Sequence, residues 1–329
     1  AWGGVRLTRR EGGESTTVRG ETFDGDLAGG RYAVAGRPAE VDLDGQWLRG
    51  GQIVMTGERI GRMLKLRQVT VVTGGMARLM LEKDLSGEEL PAPQPAYVQW
   101  DDQMSFHRGS DEVQFHGNVR FDTAEALSEQ AARQLPLGGP GGHLRCDTLT
   151  VWLEPEAPPT EEDRPADEAT AASRPAEEAV AASRPAQTEV AASRPDEDDD
   201  SLSMKRDLRR LLAQGNVRLL ARREDEQGRL LGRMKVEADR LDRDAVADSV
   251  EVAGAGTLSF EDYRPPSDPT RPGGDLDRPS QTLFAWRERM ALVRTGGTAV
   301  EDDAPVDAAW EVAMEGDVRM THRSGRQVV

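Results

Sequence analysis

The residues with the most specific chemistry in this chain are four histidines and one cysteine: His107, His116, His143, His322 and Cys146. His143 and Cys146 form an H-x-x-C pair, and His107 and His116 fall in neighbouring segments of alternating polarity. A structural zinc site takes four ligands, ordinarily as two tight pairs, and this set offers one such pair. Cys146 stands just ahead of an alternating apolar run and reads as a small buried hydrophobe. The chain has no G-x-S-x-G elbow, no phosphate-binding G-x-x-x-x-G-K loop, no H-E-x-x-H and no C-x-x-C. Carboxylates are abundant, but Asp101-Asp102, Asp302-Asp303 and the Asp242/Asp244 pair read as solvated turn residues. Glycosidase chemistry needs its carboxylates in a cleft, and the D-x-D spacing lacks the remainder of an EF-hand loop. The expectation is a protein without catalytic residues, metal or cofactor.

What remains is apolar. Val113 and Phe115 flank Gln114, and Val119 and Phe121 flank Arg120. Leu149, Val151 and Leu153 alternate with Thr148, Thr150 and Glu154, and Val250 and Val252 flank Glu251. Leu258/Phe260 and Trp310/Val312/Met314 follow the same rule. One apolar and one polar face is the pattern of half-buried antiparallel strands. Val113, Phe115, Val119, Phe121, Leu149, Val151, Leu153, Leu219, Val250 and Val252 should therefore point into a common interior. Such an interior is either an ordinary packed core or a groove for apolar ligands, and the sequence is compatible with both. Gly, Asn and Asp fall between the alternating runs, where G-N-V and G-D-V are expected to turn the chain. One short helix is expected at about 124–134, from the capping pattern Asp122-Thr-Ala-Glu125 followed by Leu127, Ala131 and Leu135. Leu208, Leu211 and Leu212 fit either helix or strand, and the repeat described next favours a strand.

Self-comparison exposes an internal repeat. Gly4-Val-Arg-Leu7, Gly117-Asn-Val-Arg-Phe121, Gly215-Asn-Val-Arg-Leu219 and Gly316-Asp-Val-Arg-Met320 share one signature. The last three are preceded at equal offset by an apolar pair: Val113/Phe115, Leu211/Ala213 and Val312/Met314. Phe23-Asp-Gly-Asp26 leads to Tyr32-Ala-Val-Ala-Gly36 as Leu241-Asp-Arg-Asp244 leads to Val250-Glu-Val-Ala-Gly254. Trp100-Asp-Asp-Gln-Met104 matches Trp286-Arg-Glu-Arg-Met290. A lone hairpin is marginal in water, so such units must stack edge to edge or fold into a two-walled trough.

The chain has 329 residues, 42 Lys+Arg against 59 Asp+Glu, and a net charge of −17. That balance argues against a nucleic-acid partner, because phosphate affinity rests on clustered cations. The charge is concentrated: residues 155–200 hold 14 acids and 4 arginines. Within them a ten-residue unit repeats over 164–195 (RPADEATAAS, RPAEEAVAAS, RPAQTEVAAS), followed by the acidic run 196–200. Proline every ten residues blocks a continuous helix, and so polar a segment cannot bury a core, so disorder is expected there. Five prolines mark 263–280 as a linker. The resulting organisation is a first module at 1–90, a second at 91–154 plus 201–262, the insertion at 155–200, the linker at 263–280 and the start of a third module at 281–329. The chain begins at Ala1 and its last repeat stops early, so targeting information and further strands are expected beyond both ends.

The repeated G-[ND]-V-R strands, the D-x-D turns and the V-x-V-A-G strands resemble the OstA/LptA/LptC family of periplasmic lipopolysaccharide-transport proteins. The likeness covers the chain apart from the insertion and the linker. It implies an all-β fold of tandem β-jellyroll or "β-taco" modules, two facing walls of short antiparallel strands. It also implies a role in the periplasm or cell envelope. There an apolar trough would hold the acyl chains of lipopolysaccharide or a related glycolipid without catalysis. Other β-jellyroll components would be partners through edge-strand pairing. The alternative is a structural β-repeat envelope or surface protein with a filled core and no ligand.

Overall fold

In the computed structural model the described residues are 2–11, 14–26, 29–43, 46–60, 63–83, 89–123, 142–154, 208–224, 229–263, 279–295 and 309–323. The helix expected at about 124–134, the decad repeat and most of the proline-rich stretch lie outside them.

Alternating polarity gives strands throughout. The described residues form seventeen strands, all paired antiparallel, and contain no helix. They are β1 (Trp2–Glu11), β2 (Glu14–Asp26), β3 (Arg31–Leu43), β4 (Gln46–Ile60), β5 (Met63–Val71), β6 (Gly75–Lys83), β7 (Glu89–Trp100), β8 (Gln103–His107) and β9 (Glu112–Thr123). They continue as β10 (Gly142–Leu153), β11 (Leu208–Glu224), β12 (Leu230–Asp244), β13 (Ser249–Asp262), β14 (Ser280–Trp286), β15 (Arg289–Thr295), β16 (Ala309–Glu315) and β17 (Arg319–Arg323). Leu208, Leu211 and Leu212 lie on β11, a strand as the repeat requires.

Pairing follows chain order, as short antiparallel connections favour. Four short pairs, β5/β6, β7/β8, β14/β15 and β16/β17, each make one rung in two halves. Thus β4 pairs with β5 over 53–60 and with β6 over 47–50. Likewise β13 pairs with β14 over 256–262 and with β15 over 249–253. The seventeen strands are therefore thirteen rungs. Within them β4, β5, β8, β9, β7 and β6 close on one another as a six-stranded antiparallel barrel. The ladder runs unbroken through residue 90, where β6 pairs with β7, and across 263–280, where β13 pairs with β14. The expected modules are thus successive stretches of one sheet. The long insertion separates β10 from β11 in sequence, yet these two strands pair directly.

Every rung is interrupted at one level, and this overturns one expectation. The G-N-V segments lie inside strands, not between them. Gly117-Asn118 is in the middle of β9 and Gly215-Asn216 in the middle of β11. Their φ angles are positive: 83° and 44°, 74° and 49°. On β9 the two residues oppose the single Asp147 of β10, because Cys146 pairs with Val119 and Thr148 with His116. Two residues against one is a β-bulge, which bends the strand. Glycine takes positive φ freely, and asparagine is among the few other residues that visit it routinely. Asn216 Nδ2 donates to Asp147 Oδ2 at 2.9 Å, and Asn118 Nδ2 donates to Asp101 Oδ2 at 3.1 Å. Gly316-Asp317 is the copy that does lie between strands, β16 and β17, at the same level.

At this corner the two Trp-x-x-x-Met copies are built alike. Trp100 Nε1 donates to the Thr73 carbonyl at 3.3 Å, and Trp286 Nε1 donates to the Gly254 carbonyl at 3.0 Å. The backbone N–H groups of Asp101 and Arg287 each donate to a repeat glycine, Gly117 and Gly316, both at 2.7 Å. The flanking Met104 and Met290 are 5% and 0% exposed.

Candidate functional site

The corner divides each rung into two arms, so the sheet has two walls. Alternation puts one face of each wall inward, and the inward side chains align from rung to rung. In one wall Phe115 pairs with Met104 and Leu149, Leu149 with Ala213, and Val252 with Leu241 and Met290. In the other Phe121 pairs with Val98 and Leu144, Leu144 with Leu219, and Val236 with Leu219 and Leu258. Buried residues of both walls belong to one hydrophobic cluster. Burying each such side chain contributes about 1.5–3 kcal/mol.

Burial grades with distance from the corner. Phe115, Leu149 and Val252, one step out, are 3%, 0% and 0% exposed. Val113, Val151 and Val250, two steps out on the same strands, are half-buried, as is Leu153 beyond them. In the other wall Val119 and Phe121 are buried and Leu219 is half-buried. The ten expected inward residues therefore divide. Phe115, Val119, Phe121, Leu149 and Val252 are packed core, whereas Val113, Val151, Leu219 and Val250 are half-buried and pack against it, and Leu153 is half-buried. The inner row of the Phe121 wall runs from Leu7 on β1 to Met320 on β17, and both are exposed, at 44% and 62%.

The sequence reading missed Arg243. Pairing places it in the inner row between Leu211 and Val250, 7% exposed, a charged side chain among aliphatic ones. Its period-two phase with Leu241 was the available signal.

His143 and Cys146 do not converge. They lie on opposite faces of β10, with Cys146 inward and His143 outward. Burial pushes the Cys146 thiol up to about 12. His143 is 1% exposed, and its Nδ1 lies 2.6 Å from Asp122 Oδ1 on the neighbouring strand. His107 and His322 are exposed, and His322 meets Thr282 at 2.9 Å. Among the described residues no three of His, Cys, Asp and Glu gather as a metal site would need. Asp242, expected in a solvated turn, is on β12 and takes a two-pronged hydrogen bond from Arg210 at 2.8 and 2.7 Å. That contact holds its carboxyl below the usual range.

Comparison with family models and with curated proteins finds no match for this chain.

Proposed function

We propose that the chain is a non-enzymatic carrier whose trough holds acyl chains of lipopolysaccharide or a related glycolipid in the cell envelope. Other β-jellyroll components would dock on its open strand edges by β-augmentation. The observation that supports this reading is the set of inward apolar side chains left half-buried on successive strands, Val113, Val151, Leu219 and Val250. Acyl chains gain about 25 cal/mol per Å² of apolar surface withdrawn from water, so incompletely buried apolar side chains are the surface they select. A second reading has its own support. The rows next to the corner are fully packed, as in a structural β-repeat with a filled core.

The half-buried rim of the proposed trough, its mouth, separates the two. Charging Phe115 or Phe121 would break the core and test folding only. Val113→Asn with Val151→Asn alters the mouth and leaves the corner rows intact. The experiment is native mass spectrometry of the purified chain, with lipids extracted from the same preparation. A co-purifying glycolipid, reduced at least tenfold in the double variant with the melting transition retained, supports the carrier. A bare mass, with no uptake of added lipopolysaccharide, overturns it in favour of the structural repeat.

A further inference from the structure

The outer face of the Phe121 wall carries a second ordered row. Arg19, Glu40 and Arg49 are cross-strand neighbours on β2, β3 and β4. Here charges alternate, and Glu40 accepts from Arg19 at 2.7 Å and from Arg49 at 2.6 Å. Further along the same row the alternation fails. Gln99, Arg120, Arg145 and Arg218 are direct neighbours on β7, β9, β10 and β11. Residues directly opposite on adjacent strands have Cβ atoms about 4.5–5.5 Å apart, and like charges so placed are destabilising.

Nothing in the row neutralises its middle. Arg120 and Arg145 make no hydrogen bond or ion pair with a described residue. Gln99 Nε2 is a buried donor without a partner. Asp122, the carboxylate whose charge acts on Arg145, is engaged by His143. Arg218 reaches Glu237 only at 3.7 Å, and Glu237 is held more closely by Lys235, at 2.8 Å. Burial and then the charges of Arg120 and Arg218 lower the Arg145 pKa, while Asp122 opposes the shift. Three adjacent donors without an acceptor, beside an Arg218 paired only at 3.7 Å, in a chain of net charge −17, make a local feature that composition conceals.

We propose that the strip Gln99–Arg120–Arg145–Arg218 is an anion site that takes a phosphoryl group. Planar guanidinium forks match tetrahedral phosphoryl oxygens two at a time, and a phosphoryl dianion supplies the acceptors and the negative charge that the row lacks. The site lies on the face opposite the trough, so it stands or falls independently of what the trough holds.

The test is differential scanning fluorimetry of the full chain with inorganic phosphate and with pyrophosphate. Arg145→Gln and Arg120→Gln/Arg145→Gln are the variants, and Arg6→Gln, near the β1 edge of the row, is the control. Wild type and control should gain melting temperature with pyrophosphate, with the double variant losing at least tenfold in apparent affinity. Without anion the double variant should melt at or above wild type, because removing like charges relieves repulsion; a merely structural role would lower it. A second arm uses phosphatidylcholine vesicles with and without phosphatidic acid. Sedimentation with phosphatidic acid vesicles, competed by pyrophosphate, assigns the phosphoryl group to a lipid headgroup. A response to soluble phosphate alone assigns a free one. No anion-dependent shift in wild type, or an equal shift in the double variant, overturns the proposal.

Discussion

Gly256→Ala tests the construction of the corner. A Cβ at 256 would sit 2.9 Å from Trp286 Cε2 and 2.8 Å from the Glu237 carbonyl oxygen. Carbon atoms in ordinary contact are about 3.5–4.0 Å apart, and Trp286 Cζ2 would lie nearer still than Cε2, so the ring must retreat by at least about 1 Å. It cannot do so freely. Trp286 is 2% exposed, and its Nε1 donates to the Gly254 carbonyl at 3.0 Å. Overpacking of this kind costs about 1–3 kcal/mol, and weakening the indole hydrogen bond adds up to about 1 kcal/mol. Against this, alanine reduces unfolded-chain entropy by about 0.4–1 kcal/mol. The net expectation is a loss of about 1–3 kcal/mol, read by urea unfolding followed through tryptophan fluorescence. In a Trp286→Leu background the ring clash is gone and only the approach to the Glu237 carbonyl oxygen remains, so Gly256→Ala should cost clearly less than in wild type. Gly109→Ala, whose Cβ meets nothing within 4 Å, sets the baseline. The repeat extends the expectation to Gly75→Ala, whose Cβ would lie 2.6 Å from Trp100 Cζ2. Equal costs for Gly256→Ala with and without Trp286 would refute the reasoning, whatever their size.

Two pH-dependent predictions accompany it. The thiol of Cys146 is raised from 9.0 to about 12 by burial, so the stability of its neutral form is whole below pH 9 and is lost as pH rises toward 12. The slope is at most about 1.4 kcal/mol per pH unit, and Cys146→Ala should remove it from urea titrations above pH 9; an unchanged slope refutes the assignment. The lowered carboxyl of Asp242 works in the opposite direction. Its contribution is present above the ordinary value of 3.8 and disappears as pH falls through its lowered native value. The stability gap between wild type and Asp242→Asn should therefore hold at neutral pH and shrink as pH falls through 3.8 and below, and a constant gap would count against the Arg210 pairing.

What was legible in the sequence was the phase of each strand. Val250-Glu-Val252 and Leu149-Thr-Val151 alternate in the structure as they alternate in sequence, because a strand has no other period to offer. The Trp100 and Trp286 copies were legible for a related reason: equivalent corners need an equivalent ring, hydrogen bond and methionine. Depth was not legible. Phe115 and Val113 have the same phase and similar polarity, but one is buried and the other only half-buried. The difference is their distance from the corner, which only the register of neighbouring strands defines. The outer arginine row was hidden for the same reason. Arg120, Arg145 and Arg218 are scattered in sequence and become neighbours through pairing. Arg145 and Arg218 are separated in the chain by the whole acidic insertion.

The misread G-N-V motif explains why a ladder this long stays in register. A slip of one residue between antiparallel strands would exchange the two faces, putting Arg120 and Arg145 inside and Phe121 and Leu144 outside. Thin alternating strands resist such a slip weakly, because each contributes few large side chains. A bulge resists it strongly. Gly117-Asn118 on β9 can bend only where Asp147 on β10 leaves one residue against two, and Gly215-Asn216 on β11 meets that same Asp147 from the other side. One aspartate thus fixes the register of three strands. Asp101 performs the matching task at the turn between β7 and β8, through Asn118. The repeated glycine and asparagine are therefore constrained by backbone geometry rather than by ligand chemistry. That constraint is what leaves the inner rows free to vary in size along the sheet while still pointing the same way.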